Sequence, residues 1–210
     1  MKHCYIHILD GTVELRCSPR LALSEAEMIL HRRLPWILKK LEAARERKRR
    51  FDKEKEFLLE GRTYPVRHLT SSARRIRAEL NAEALLLYAS ETPGLPAILQ
   101  CAEQLYRDHC RDVLLPRVKA WSRTMGLTPS RIAFRRARTR WGSCSSRNAI
   151  SLNLYLAAVP PELSDYVIVH ELAHIRHKNH SGAFWNLVAR YIPDWKEKRK
   201  ILRNYEELLA

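Results

Sequence analysis

The sequence predicts an α+β protein, and three observations carry that class. Short runs that alternate apolar and polar residues occupy about 3–17, 57–89 and 132–154. Longer segments with helical apolar spacing occupy about 24–50, 95–125 and 161–209. The hydrophobic share is 46% of 210 residues, enough for a real core. Strand and helix patterns held in separate stretches define the class.

The elements follow in chain order. Residues 3–9 alternate, Asp10-Gly11 follows, and Val13, Leu15 and Cys17 alternate again. Two such runs about an Asp-Gly predict a β-hairpin. Ser24 with Glu27 three residues on reads as a capping box. Met28, Ile29, Leu34, Trp36, Ile37, Leu38 and Leu41 then supply an apolar stripe. The spacing predicts a helix over 24–50, kinked at Pro35. Its last part, 45–50, is a basic run. Phe57-Leu58-Leu59, Tyr64, Val66, Ile76, Ala78, Leu80 and 85–88 predict a small antiparallel meander with a turn at Asn81. Thr92-Pro93-Gly94 marks the internal boundary, so 1–94 is expected as an accessory region and 95–210 as the second domain. A helical stripe over 95–125 is expected to bend or break at Pro116 and to end at a left-handed Gly126. Ile132-Ala133-Phe134 and 149–154 are expected as strands flanking 138–146. Pro160-Pro161 opens a helix through His170 and Ala173, and two further helices follow at about 183–191 and 194–209.

Composition narrows the class of function. Lys and Arg number 38 against 23 Asp and Glu, a formal charge of +15. That excess draws polyanions and favours solubility, without specifying a fold. Only 6 glycines exclude collagen-like and flexible-linker classes. The N-terminal run lacks the apolar block of a signal peptide, and no stretch nears 18 apolar residues. Five cysteines, an odd number without a CxxC pair, fit reduced thiols. These features together predict a cytoplasmic protein with no membrane partner. Cys4 and Cys17 stand where they can face each other across the hairpin.

His170-Glu171-Leu172-Ala173-His174 is an H-E-x-x-H. On a helix, residues i and i+4 share one face, so two imidazoles can hold one Zn2+. Glu171 is then placed to act as general base on water at the metal. Catalytic zinc takes a third protein ligand. His177 continues the same face, and three ligands along one helical line surround a tetrahedral ion poorly. His180 reaches the metal if the helix ends first, and Asn179 suits a left-handed end. His180 is therefore the preferred third ligand, with His177 the alternative. The spacing equals the metzincin pattern, but His177 stands where that pattern has Gly. The methionines, Met1, Met28 and Met125, supply no later Met-turn.

The motifs Thr139-Arg140-Trp141-Gly142-Ser143-Cys144-Ser145, Ile150-Ser151-Leu152-Asn153, 166–174, Asn179-His180-Ser181 and Phe184-Trp185 resemble the YgjP-like metallopeptidase family. More distantly they are similar to the SprT and Wss-type zinc proteases. The close match covers about 138–193. The resemblance implies a zincin-like helical metallopeptidase core with a small antiparallel sheet and an N-terminal β-rich and helical accessory half. It implies zinc on His170, His174 and His180, with Glu171 as base and a polypeptide as substrate. It also implies that a strand near 150–154 can pair with an extended substrate.

Arg140 has two readings, a group that stabilises an oxyanion or an ordinary surface residue. Cys144 has two as well, a ligand that inhibits the metal or a small buried hydrophobe. Trp141 reads as core filling and Gly142 as a turn. Three functions remain open. The first is a zinc peptidase. The second is a zinc hydrolase of nucleotide phosphoanhydrides, suggested by Arg135, Arg136, Arg138 and Arg140, since guanidinium groups bind phosphate bidentately. The third is a basic nucleic-acid-associated protein with a structural metal site, suggested by the charge and by 45–50.

Overall fold

In the computed structural model, the described residues are 4–9, 12–18, 21–50, 54–73 and 75–209. The expected Asp10-Gly11 turn lies outside them, as do Arg74 and the side chains of the basic run 45–50. The chain forms two compact units, Met1–Asp52 and Lys53–Ala210.

In the first unit, β1 (Tyr5–Leu9) pairs antiparallel with β2 (Thr12–Arg16). The register puts Cys4 opposite Cys17. Both are free thiols joined by a hydrogen bond, which pushes the Cys17 thiol up to about 11. Helix α1 (Leu23–Arg50) follows. Its capping residue is Ala22 rather than Ser24, and the Ala22 N–H donates to the Glu25 carboxylate at 3.2 Å. Glu25, not Glu27, thus closes the first turn. Pro35 lies inside the helix without ending it. Ile37 is buried, whereas Met28, Leu34, Trp36 and Leu38 of the expected stripe are exposed.

The second unit carries two sheets. The first has the order β3 (Glu56–Leu59), β4 (Arg62–Thr70), β6 (Leu85–Ala89), β5 (Arg77–Leu80). Glu60 and Gly61, at φ 48° and 77°, make the two-residue β3–β4 turn. β4 and β6 run parallel, so the expected antiparallel meander is corrected. The chain passes β6 before β5 forms at the far edge, and the return is a true turn. There Asn81 Oδ1 accepts from the N–H groups of Glu83 and Ala84 at 2.9 and 2.8 Å.

Residues 92–94 join β6 to helix α2 (Leu95–His109) within this unit. A π turn, Cys110–Leu114, separates α2 from α3 (Leu115–Met125). Pro116 has no N–H, and its ring would strike a carbonyl one ordinary turn back. The wider turn, with the Leu115 N–H bonded to the Cys110 carbonyl, accommodates it. Gly126 ends α3 at φ 63°, as expected.

The second sheet has the order β7 (Arg131–Arg135), β9 (Ala149–Asn153), β8 (Gly142–Cys144). β7 lies parallel and β8 antiparallel to β9. The sheet is therefore mixed, not antiparallel. Both edges of β9 are taken, so the strand over 150–154 has no edge left for a substrate. β8 falls within 138–146, the stretch between the two expected strands.

Helix α4 (Pro161–Arg176) is the centre of the core. Leu163, Val167, Ile168, Val169, Leu172 and Ala173 are all buried. Two contacts hold its start. Arg117 of α3 grips Asp165 with Nε at 3.1 Å and Nη2 at 2.6 Å. The β3–β4 turn docks beneath it, with the Glu60 and Gly61 N–H groups on the Ala157 and Ala158 carbonyls, each at 2.8 Å. A Cβ on Gly61 would sit 2.6 Å from Pro160 Cγ, so this approach needs glycine. Helices α5 (Gly182–Tyr191) and α6 (Trp195–Leu202) follow. The last expected helix is broken, because Arg203–Leu209 tightens to 3-10 geometry. The architecture is α+β, and none of the described helices is long and apolar enough to cross a membrane.

Candidate metal centre

Helix α4 carries His170 and His174 on one face, and the helix ends before His180. The end differs from expectation. His177 leaves the helix in an extended conformation, φ −127° and ψ 103°, while its N–H still bonds the Ala173 carbonyl at 3.0 Å. No left-handed residue at Asn179 is needed. His180 then folds back, and its Nε2 lies 3.1 Å from His170 Nε2.

One ligand atom from each of His170, His174 and His180 lies within 4.8 Å of the others. A tetrahedral metal with M–N bonds near 2.0–2.1 Å needs nitrogens about 3.3 Å apart. The His170–His180 pair stands at 3.1 Å and all three donors lie within 4.8 Å, so one ion can be reached by the three imidazoles. The protonation states fit too. Burial first, then the other two imidazoles, pushes His170 down to about 3. Burial likewise lowers His174. Neutral imidazoles are the metal-binding form. His174 Nδ1 lies 3.0 Å from the His177 carbonyl, which fixes that N–H as donor and leaves Nε2 for a metal. His177 thus contributes its backbone, and its imidazole is outside the cluster.

Phe184 is the floor. It is fully buried, and its ring centroid lies 4.9, 4.5 and 4.8 Å from those of His170, His174 and His180. Ser181 caps α5 by accepting from the Phe184 N–H at 3.4 Å, which seats that ring. Trp185 stacks on His180 at 5.4 Å. Lys178 fixes the loop between His174 and His180, with Nζ donating to the Ser145 carbonyl at 3.0 Å and to Asn148 Oδ1 at 2.6 Å.

Glu171, next to His170 on α4, is the buried acid of this helix. It is 6% exposed, and burial pushes its carboxyl up to about 8 against the pull of Arg140. Its Oε2 is buried and meets no hydrogen-bond donor among the described residues. Strand β8 lies directly on it. A Cβ on Gly142 would stand 2.6 Å from Glu171 Cγ and 2.7 Å from Oε1. Gly142 is therefore a strand residue that lets the carboxyl approach, and the turn reading is corrected. A cavity of about 710 Å³ opens over Trp141, Gly142, His170, Glu171 and His180.

A family model described as YgjP-like, metallopeptidase domain, matches residues 2–205. The chain belongs to the YgjP-like metallopeptidase family. Membership implies a metal ion, hydrolysis and a polypeptide substrate. No curated protein matches the chain. Among solved structures, the crystal structure of the metallopeptidase zymogen of Pyrococcus abyssi abylysin is similar over 40% of this chain and 87% of its own. The identity there is 22% and the TM-score 0.38.

The other sequence candidates separate in space. Arg135, Arg136, Arg138 and Arg140 do not line the cavity, and Arg136 faces Glu103 at 3.9 Å. Arg140 is exposed and acts on Glu171 through its charge. Cys144 is half-buried, 3.8 Å from Lys178 Nζ, and outside the histidine cluster. Asn153 has a role that its residue type alone does not reveal. It is 1% exposed, and its Nδ2 donates to the Ala137 and Arg140 carbonyls at 2.7 and 2.9 Å. It thereby shapes the loop that carries Arg140 to Glu171. The polar residue in the last position of an apolar strand, with Tyr155 two residues on as its other partner at 3.1 Å, is the only local signal.

Proposed function

We propose that the chain is a zinc-dependent metallopeptidase in which His170, His174 and His180 hold the metal and Glu171 is the general base. Bound there, zinc supplies Lewis acidity, making water acidic near neutral pH and polarising a carbonyl. Glu171 takes the proton of the attacking water and delivers it to the leaving amine. Its burial suits this exchange, because a carboxyl with raised proton affinity both accepts and returns a proton near pH 7. Arg140 favours the ionised base and the negative charge that develops on the carbonyl oxygen. The reading includes a zincin-like core, with the reacting groups in 95–210 and 1–94 as an accessory region. The observation that carries it is the convergence of three imidazoles beside one buried carboxyl.

The test is Glu171→Gln, which keeps shape and removes the base. Zinc content should stay at one equivalent and hydrolysis of unfolded protein should fall at least about 10²-fold. Wild-type activity in that variant would refute the mechanism. Hydrolysis of nucleoside triphosphates but not of unfolded protein would move the reading to a phosphoanhydride hydrolase.

A further inference from the structure

The groups discussed so far occupy one side of the cavity. The other side is built by the end of α6 and the turn after it, through Arg199, Leu202, Arg203 and Glu206. The guanidinium carbon of Arg199 lies 5.7 Å from the Trp185 ring centroid. Trp185 in turn stacks on Trp195, at 4.0 Å and 13°. An arginine resting on a stacked indole pair loses side-chain freedom before any ligand arrives, yet keeps its N–H edges open. Among the described residues neither Arg199 nor Arg203 has an ion pair with a carboxylate, whereas the neighbouring Lys198 is paired with Asp194. Of the four residues on that wall Glu206 is the one acid against two guanidinium groups, so the wall keeps a positive excess. Arg199 is also close enough to act electrostatically on His170 and Tyr166.

Distance sets where a ligand for this wall would sit. From the His180 ring through Trp185 to the Arg199 guanidinium is at most about 11 Å, roughly three residues of extended chain. A peptide whose scissile carbonyl sits at the histidine cluster would therefore bring a residue within three positions of that bond to Arg199.

We propose that Arg199, assisted by Arg203, is a specificity-determining subsite for a substrate carboxylate near the scissile bond, so that the cleft selects acidic peptides. This inference rests on the peptidase reading. The carboxylate has two sources, an Asp or Glu side chain or a free chain terminus, and a bidentate guanidinium contact suits either.

Paired peptides test it, with Glu or Gln at each of three positions on either side of the cleaved bond. Each is made with a free or an amidated C-terminus. Binding is read by fluorescence anisotropy on zinc-loaded Glu171→Gln protein, and cleavage on the wild type. A Glu peptide should bind about tenfold tighter than its Gln partner, since hydrogen bonds to charged groups are worth at least that. The ratio should shrink with added salt, fall to about one in Arg199→Gln, and invert in Arg199→Glu. A gain that follows the free terminus instead assigns the subsite to the chain end. Arg199 is exposed, so both variants are expected to fold, with circular dichroism as the check.

Equal binding of every pair, no binding at all, or a ratio that survives Arg199→Gln overturns the proposal. Cleavage without any acidic preference overturns it while the peptidase reading stands. Carboxylate-selective binding without cleavage by the wild type supports the subsite and removes the peptidase reading.

Discussion

Gly142→Ala tests the seat of the proposed base without touching a charged or metal-binding group. The new Cβ would lie 2.6 Å from Glu171 Cγ, 2.9 Å from Cδ and 2.7 Å from Oε1. Carbon atoms pack comfortably at about 3.5–4.0 Å, so one partner must move by about 1 Å. Strand β8 cannot easily retreat, because Gly142 is registered against Leu152, which is 1% exposed. Glu171, 6% exposed, has room only toward the cavity that opens over it. The carboxyl is therefore what moves. A misplacement of about 1 Å in a reacting group costs up to about 10²-fold in rate, and overpacking costs about 1–3 kcal/mol in stability. The assay is kcat/KM on an unfolded protein substrate, with zinc content and urea unfolding measured on the same preparation. Activity should fall about 30- to 100-fold while zinc stays at one equivalent, since the histidine cluster is untouched. Gly182→Ala is the control, because a Cβ there meets nothing within 4 Å. If Gly142→Ala is within threefold of that control, β8 does not seat the base.

Three further outcomes follow from the same geometry. Asn153→Asp keeps the acceptor for the Tyr155 N–H but turns an anion toward the Ala137 and Arg140 carbonyls. It should lower urea stability by about 2–4 kcal/mol and reduce activity with it, and unchanged stability would rule out the clamp. His180→Ala should reduce zinc content well below one equivalent, whereas full retention would shift the third ligand to His177. In chelator-treated protein, Glu171 holds its proton to about pH 8 while the unfolded chain releases it near 4.5. The folded state thus binds more protons between pH 6.5 and 8, and stability should fall by about 2 kcal/mol as pH rises through that window. Below pH 6.5 the half-buried His170, His174 and His109, whose proton affinities burial lowers, take up protons later than the unfolded chain does, so stability falls on acidification as well. Urea midpoints should peak near pH 6.5, and an alkaline decline that persists in Glu171→Gln would refute the assignment.

The parts of the site legible in the sequence are those set by helical period. His170 and His174 must share a face of any helix that contains both, and His180 can join them only if that helix stops. How it stops was not legible. The extended His177 and its carbonyl on His174 Nδ1 are backbone facts that no side-chain type announces. Strand β8 was hidden for a similar reason. Three residues are too few to show alternation, and a glycine reads as a turn until the carboxyl pressed against its Cα is known. The parallel pairings β4–β6 and β7–β9 were missed because local patterning reports strands and not partners. Arg199 lies nearly thirty residues beyond Glu171, and only the packing of α6 against α4 brings it to the cavity.

Glu171 shows which kind of signal survives this loss. Its neighbours Val167, Ile168, Val169, Leu172 and Ala173 are all at most 3% exposed, so this stretch of the helix is packed among apolar side chains. An ionisable group in such a helix opposes the burial that shapes everything around it. Desolvation raises its proton affinity to about 8, a cost to folding at neutral pH that the pH profile above would measure. Local conflicts of this kind persist where function requires them. The pair of histidines marks where a metal fits. The destabilising carboxyl between them argues that the metal is there for chemistry, because a purely structural site would be more stable with Leu or Gln in its place.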